Sequence, residues 1–164
     1  MEEIPRKKGL FYDIPGRGIL RIKHLVLDLN GTIAFQGKIR ESTRRLINEL
    51  SRSVNVYVLT ADTRGKAHHL CSSLEAEVCL IKKGREKEGK AEFIREKGPG
   101  ETIALGNGDN DQLMLEASLL GIAVLGEEGC SVPSFLKADM AVKDVDTALE
   151  ILLDPDTLKA TLRS

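Results

Sequence analysis

The sequence carries an isolated carboxylate in a setting that suits chemistry. Asp28 lies within an apolar run and is followed by Asn30 and Gly31. Because a buried, unpaired charge is costly, Asp28 requires a metal ion or a cationic side chain beside it. Gly31 allows the backbone to turn sharply and to come close to a ligand such as a phosphate. This segment therefore predicts a reactive or metal-binding carboxylate at position 28.

Two further segments supply groups that can bind phosphate oxygens. Thr60 offers a hydroxyl group, and Ala61 lies where a helix is expected to begin and to present free backbone amides. Thr60 could instead cap that helix. Lys90 opens a later helix and offers a fixed positive charge, for which Lys82 and Lys83 are alternatives. These segments predict a phosphate-binding site.

A fourth segment, residues 106–111, combines glycines with oxygen-bearing side chains. Asn107, Asp109 and Asp111 offer oxygen ligands of the kind that Mg²⁺ prefers. Aspartate can act as a nucleophile and form an aspartyl phosphate. A metal ion and a lysine would neutralise the charge that develops during such a transfer. The four segments together predict a nucleophilic carboxylate surrounded by groups that hold a phosphoryl group and Mg²⁺.

The elements between these segments alternate between strand and helix. Short apolar runs predict strands at 24–29, 54–59, 77–81, 102–105, 122–125 and 138–142. Helical spacing and end signals predict helices at 41–50, 63–74, 88–97, 110–120, 132–136, 144–153 and 155–162. Such alternation predicts an α/β fold, a three-layer Rossmann-like parallel sheet with helices on both faces. In these sheets the ligand site lies beyond the carboxyl ends of the strands, close to the four segments.

Residues 9–23 precede this pattern and predict a β-hairpin around a Pro-Gly turn. We therefore divide the chain into an N-terminal extension with a hairpin, residues 1–23, and a core at 24–164. The hairpin is expected to contact another subunit of a homo-oligomer or to add an edge pair to the sheet.

Bulk composition excludes several classes of protein. The chain has 164 residues, enough for one domain. Its 24 Lys and Arg residues against 25 Asp and Glu residues give a net charge of -1, so neither nucleic acid nor a membrane is an expected partner. No apolar run approaches the roughly 20 residues that span a bilayer. Three scattered cysteines and the lack of a secretory signal predict a cytoplasmic location.

The four segments, in this order, resemble the haloacid dehalogenase (HAD) superfamily, and especially its soluble, P-type-ATPase-like branch. The resemblance covers about residues 24–145 and includes the runs Gln112-Leu113-Met114-Leu115 and Leu120-Gly121-Ile122-Ala123. HAD enzymes usually choose substrates with inserted cap domains. Both insertion points are short here, at residues 34–40 and 63–89, so the resemblance implies a capless HAD core with an open site.

The resemblance also implies a role for each segment. Asp28 is the nucleophile and a Mg²⁺ ligand. Position 30 normally holds the general acid/base and offers its backbone carbonyl to the metal. Thr60 and Lys90 bind the phosphoryl group, and the loop at 106–111 holds the metal through positions 107 and 111.

Two positions depart from the superfamily pattern. Asn30 stands where most phosphatases have Asp, and an amide cannot supply general acid catalysis, which is worth about 10²–10⁴-fold. P-type ATPases also lack an acid there, so Asn30 is compatible with phosphoryl transfer to Asp28. It favours leaving groups that need no protonation. Asn107 stands where the metal loop usually has its first Asp, which removes one negative charge that Asp109 could replace through water.

These observations predict a Mg²⁺-dependent phosphohydrolase that forms an aspartyl phosphate at Asp28. Its substrate would be a phosphate ester or an acyl phosphate, on a small molecule or a macromolecule. Two alternatives stay open. One is a catalytically impaired HAD domain that binds a phosphorylated ligand or protein, and the other is a phosphotransferase that passes the phosphoryl group on from Asp28.

Overall fold

A six-stranded parallel sheet forms the centre of the protein, as the sequence predicts. The computed structural model describes residues 6–62 and 65–164. The sheet order is β5-β4-β3-β6-β7-β8. Its strands are β3 (His24–Asp28), β4 (Asn55–Thr60), β5 (Glu77–Leu80), β6 (Thr102–Gly106), β7 (Leu120–Val124) and β8 (Met140–Val142). β3, β6 and β7 consist almost entirely of buried residues because both faces of the sheet are covered.

Helices cover both faces of this sheet, which gives the predicted three layers. They are α1 (Glu41–Leu50), α2 (Lys66–Leu70), α3 (Glu86–Lys97), α4 (Gln112–Ala117), α5 (Val132–Lys137), α6 (Val145–Leu153) and α7 (Pro155–Leu162). One face packs against α1, α2, α6 and α7. The other packs against α3 and α4, with α5 beside α4. Successive strand residues alternate between these two cores, as the pleat of a strand requires.

The predicted N-terminal hairpin is present but does not extend the sheet. β1 (Leu10–Ile14) and β2 (Gly18–Ile22) form a separate two-stranded antiparallel sheet. The expected edge pair is therefore wrong, because the inner face of the hairpin packs into the core beside α7. Tyr12 is buried there, and its hydroxyl donates a hydrogen bond to the carbonyl of Leu152, at 2.6 Å. Contact with another subunit stays a prediction.

Several element boundaries differ from the prediction. The helix predicted at 63–74 is the short α2, and the predicted start at Thr63 and Arg64 lies outside the described residues. The helix predicted at 110–120 begins with a 3₁₀ turn at Asp109–Asp111 and ends at Ala117. Leu119 then donates its amide to β6, so β7 begins two residues earlier than expected. Pairing with β6 thus sets the start of β7.

The order of the strands leaves one point at the carboxyl edge of the sheet open to a ligand. The chain leaves β3 for β4 and β5 on one side, and returns to β6, β7 and β8 on the other. The loops after β3 and β6 therefore diverge at their carboxyl ends, which is where ligands bind in open α/β sheets. No helix in the described part of the chain is long and apolar enough to cross a membrane.

Candidate active site

A buried lysine bridges two aspartates at this point of the sheet. Asp28 ends β3, Lys90 lies on α3, and Asp111 closes the loop after β6. Lys90 Nζ lies 2.6 Å from Asp28 Oδ1 and 2.6 Å from Asp111 Oδ1. Lys90 is 2% exposed and Asp111 is fully buried. The contact joins three of the four predicted segments, and it involves Lys90 rather than Lys82 or Lys83.

The helix α3 delivers Lys90 because its apolar face packs against the sheet. Ala91 and Ile94 are fully buried, and Lys90 lies beside them at the end nearest the strand termini. The four-carbon stem of a lysine can lie along apolar surface while its charge reaches a polar partner. A buried cation is costly unless it is paired, and here two carboxylates pair with it.

The loop after β6 is organised by Asp111. Asp111 Oδ2 accepts hydrogen bonds from the backbone amides of Asn107 and Gly108, each at 3.0 Å. Its other oxygen faces Lys90, so both oxygens are engaged. Gly106 allows this closure, since a Cβ there would lie 2.6 Å from Asp111 Cβ. Asp111 therefore holds both the loop and the lysine, and a contact with a metal would be additional to those bonds.

The electrostatics of the three charged groups follow from burial. Burial raises the pKa of Asp28 above its usual value, the charge of Asp111 adds to this rise, and Lys90 opposes it. Burial alone would lower the pKa of Lys90, but the two carboxylates raise it, so Lys90 keeps its proton. When both carboxylates are ionised, the three groups carry one net negative charge, which a cation facing Asp28 would stabilise.

The oxygen donors beside Asp28 fit a small divalent cation. Thr32 Oγ1 lies 3.0 Å from Asp28 Oδ2 and 3.1 Å from Asn107 Oδ1, so these two acceptors are neighbours that share one proton. Hard oxygen ligands of this kind suit Mg²⁺. Within the described residues, no group of three or more His, Cys, Asp or Glu side chains is arranged to hold a metal ion. A cation here would therefore use amide and carbonyl oxygens as well as carboxylates.

A cavity of about 980 Å³ opens above Asp28. Thr60, Ala61 and Lys90 line it together with Asp28, so the structure gathers three of the four predicted phosphate-binding residues around one space. Thr60 is buried, and its hydroxyl oxygen accepts the amide of Asp62 at 3.2 Å. No described residue accepts its hydroxyl proton, which is therefore available to a phosphate oxygen. Thr60 does not cap α2, which begins six residues later.

Asn30 and Gly31, in the loop after β3, differ in their access to this cavity. Asn30 is exposed and lines the cavity, and its backbone carbonyl accepts no hydrogen bond from the described residues. Gly31 lines a neighbouring cavity instead, and its amide donates to the carbonyl of Ala34 at 2.8 Å. The backbone amide of Gly31 is thus not free for a phosphoryl group in the main cavity.

Two residues that were not predicted from the sequence also belong to this region. Thr32 joins Asp28 to Asn107, and its position four residues after Asp28 was a signal that could have found it. Glu128 follows β7 and lines the main cavity. No local spacing links Glu128 to Asp28, because only the sheet order brings the loop after β7 beside the loop after β3. Asp109, the expected substitute for a missing charge, pairs instead with Lys87 at 2.9 Å.

Comparisons with known proteins give several related sequences. No protein-family model matches the chain. It is 43% identical over 86 residues to the uncharacterized protein MJ0073 of Methanocaldococcus jannaschii, covering 50% of this chain and 92% of that protein. It is 29% identical over 106 residues to the chloroplastic copper-transporting ATPase PAA1 of Arabidopsis thaliana, covering 63% of this chain but 11% of the ATPase. It is 31% identical over 90 residues to the phospholipid-transporting ATPase dnf2 of Schizosaccharomyces pombe, covering 55% of this chain and 6% of the ATPase.

Solved structures share this fold. A 3-deoxy-D-manno-octulosonate 8-phosphate phosphatase from Moraxella catarrhalis, in complex with magnesium, phosphate and KDO, has a TM-score of 0.67 at 12% identity, covering 87% of this chain and 94% of that chain. A cobalt-bound phosphatase of the same kind from Haemophilus influenzae has a TM-score of 0.68 at 12% identity, over 87% and 94%. A zinc-transporting PIB-type ATPase in its E2.Pi state has a TM-score of 0.60 at 22% identity, over 76% of this chain and 20% of the ATPase.

Proposed function

We propose that this chain, which belongs to the haloacid dehalogenase superfamily and is similar in sequence to P-type ATPases, is a Mg²⁺-dependent phosphohydrolase with Asp28 as its nucleophile. The observation that carries this proposal is the contact of Lys90 with Asp28 and Asp111 beneath a cavity bordered by Thr60. A structural ion pair alone would not require a large open cavity above it.

The proposed reaction has two balanced steps. In the first, a carboxylate oxygen of Asp28 attacks phosphorus, a new O–P bond forms, and the bond to the leaving group breaks with its electron pair. Lys90 and the hydroxyl proton of Thr60 stabilise the charge on the phosphoryl oxygens. In the second, water attacks phosphorus and passes one proton to solvent, the bond to Asp28 breaks with its electron pair, and inorganic phosphate leaves with the other proton while the carboxylate is restored.

A divalent cation would be held by the oxygens on the other side of Asp28. Asp28 Oδ2, Asn107 Oδ1 and the backbone carbonyl of Asn30 are the donors that we assign to it. When bound, the cation adds positive charge next to the phosphoryl oxygens. We assign to Asp111 the positioning of Lys90 and of the loop, and to Gly31 the space that Asn107 needs rather than a direct bond to phosphate.

Asn30 determines which substrates suit this site. Its exposed amide cannot protonate a leaving group, so a leaving group that is stable as an anion reacts best. An acyl phosphate has such a leaving group, whereas an alkyl phosphate ester does not. Asn30 also offers no base for the attacking water, so we expect the aspartyl phosphate to persist. This observation favours one second candidate, a phosphotransferase that passes the phosphoryl group from Asp28 to another acceptor.

A panel of acyl phosphates and phosphate esters tests the proposal. Wild type is expected to release phosphate from acyl phosphates faster than from esters, and Asp28→Asn is expected to release none. Asn30→Asp adds the missing acid and should accelerate ester hydrolysis by about 10²-fold or more. Asn55→Asp, which adds a carboxylate at the opposite end of the sheet, is the control. Equal activity of wild type and Asp28→Asn would show that the nucleophile is wrongly assigned.

The same panel separates the remaining candidate. If neither wild type nor Asn30→Asp releases phosphate, direct binding of the phosphorylated compounds should be measured by calorimetry. Binding without turnover identifies a domain that recognises a phosphorylated ligand.

A further inference from the structure

Glu128 directs a carboxylate toward the proposed metal site from the loop after β7. It lines the same cavity as Asp28, Asn30 and Asn107. Its Oε2 lies 2.5 Å from the point that a Cβ on Gly31 would occupy, and Asn107 Nδ2 lies 2.6 Å from the same point. Glu128 and Asn107 therefore approach each other over Gly31, in space that remains open because Gly31 has no side chain.

The loop that carries Glu128 is attached to the loop that carries Asn107. The backbone carbonyl of Gly129 accepts a hydrogen bond from Asn107 Nδ2 at 3.2 Å. The backbone amide of Ser131 donates to the carbonyl of Asn107 at 2.8 Å. These two bonds lie one and three residues after Glu128. The placement of Glu128 beside Asn107 is thus a consequence of the fold, even though its side chain is exposed.

The two acidic side chains of the loop after β6 already have cationic partners. Asp109 pairs with Lys87, and Asp111 pairs with Lys90. Glu128 forms no ion pair and no hydrogen bond with any residue that the structure describes. Its carboxylate therefore has no direct cationic partner among the described residues, at the edge of a site that lacks one of the usual carboxylates.

We propose that Glu128 supplies to the divalent cation the negative charge that Asn107 does not. This inference rests on the proposed function, since it concerns the same cation beside Asp28. The affinity of oxygen-ligand sites for divalent cations depends on how many ligands are charged. Asp28 and Asn107 alone present one carboxylate to the cation, and Glu128 makes two. The charge thus comes from a different loop but reaches the same position.

The chain offers a matched control for this proposal. Glu127 is adjacent in sequence but lines the neighbouring cavity, together with Lys38, Arg40 and Lys143. Glu127→Gln and Glu128→Gln remove the same charge from consecutive residues of one loop. Only the second removes it from the side of the loop that faces Asp28. A general effect of net charge would change both variants equally.

Binding of Mn²⁺, measured by electron paramagnetic resonance with Mg²⁺ as competitor, tests the proposal without any substrate. Glu128→Gln is expected to raise the Kd for both cations by about tenfold or more, which is the range of effects found when groups around a metal site are removed. Glu127→Gln should leave the Kd within about twofold of wild type, because a charge on the far side of the loop is screened by solvent and salt.

A second substitution places a negative charge at position 107, where the usual metal-binding carboxylate is missing. Asn107→Asp in the Glu128→Gln background should restore most of the wild-type affinity, because it again gives the cation two carboxylates. Restoration would also show that Glu128→Gln had not damaged the fold. In thermal unfolding without metal, Glu128→Gln should have the same midpoint as wild type, because the Glu128 side chain is exposed.

The outcomes distinguish this inference from the proposed function. If wild type binds neither Mn²⁺ nor Mg²⁺, the proposed metal-dependent function fails, and the role of Glu128 fails with it. If wild type binds and Glu128→Gln binds equally well, only the role of Glu128 is overturned. The same conclusion follows if Glu127→Gln weakens binding as much as Glu128→Gln does.

Discussion

Replacement of Lys90 by Met should destabilise the protein more than the loss of any exposed ion pair. Lys90 is 2% exposed, and its Nζ lies 2.6 Å from an oxygen of Asp28 and 2.6 Å from an oxygen of Asp111. Methionine fills a similar volume but leaves two carboxylates buried beside each other without a cation. Breaking a buried pair in this way costs about 3–5 kcal/mol. For a domain of this size, that lowers the melting temperature by about 6–20 °C.

The matched control is Lys87→Met, three residues earlier on the same helix. Lys87 pairs with Asp109 at 2.9 Å, but its side chain is 32% exposed and that of Asp109 is 63% exposed. A pair of this kind contributes about 0–1 kcal/mol. Urea unfolding of both variants in the absence of divalent cations measures the difference. Equal losses for the two variants would refute the view that burial makes the Lys90 contact special.

Two further measurements sharpen this prediction. Asp111→Asn in the Lys90→Met background removes one of the two like charges, so it should recover part of the lost stability. Lower pH should also reduce the loss, because Lys90 lowers the pKa of Asp28 that burial raises, so the folded variant takes up a proton at a higher pH than folded wild type does. The loss should be complete above the raised pKa of Asp28 and should shrink toward about pH 4, the ordinary pKa of an aspartate. A loss that does not depend on pH would point to packing rather than to charge.

Two other predictions concern Gly31 and Tyr12. Gly31→Ala should cost about 1–2 kcal/mol because Gly31 has φ +82, and it should also weaken Mn²⁺ binding, because the added Cβ would lie 2.5 Å from Glu128 Oε2. Gly37 has φ +72 and open space around it, so Gly37→Ala should lose stability but keep wild-type Mn²⁺ binding. Equal Mn²⁺ binding by the two variants would contradict the account. Tyr12→Phe should cost about 1 kcal/mol at neutral pH, since it removes the hydrogen bond to Leu152. Because burial raises the pKa of Tyr12, the unfolded state loses the tyrosine proton first above about pH 10. Wild-type stability should therefore fall toward that of the variant above this pH. Parallel plots of stability against pH for the two proteins would contradict this expectation.

Much of the fold could be predicted because the strands are apolar runs separated by helical patterns. α1 and α7 have the predicted boundaries, since an extended Arg40 precedes the first and Pro155 opens the second. β7 begins two residues before its predicted start, because pairing with β6 extends a strand beyond its most apolar residues. The separate sheet of the hairpin was also not predictable, since it depends on long-range packing against α6 and α7.

The site divides in the same way between local and long-range features. Asp28, Thr60, Lys90 and the loop after β6 were predictable because each lies at or near the end of a recognisable strand or helix. Glu128 was not, because its position beside Asn107 arises only when β7 pairs with β6 and brings the next loop over Gly31. Local spacing identifies the residues that lie at the ends of strands, and tertiary structure decides which of them meet.

The most direct test of the central claim is covalent labelling of Asp28. Wild type incubated with Mg²⁺ and acetyl phosphate, quenched in acid and mapped by mass spectrometry should carry one phosphoryl group, on the peptide that contains Asp28. Asp28→Asn should carry none, and Asn30→Asp should carry less at steady state because its intermediate is hydrolysed faster. A phosphoryl group on another residue, or equal labelling of Asp28→Asn, would contradict the account.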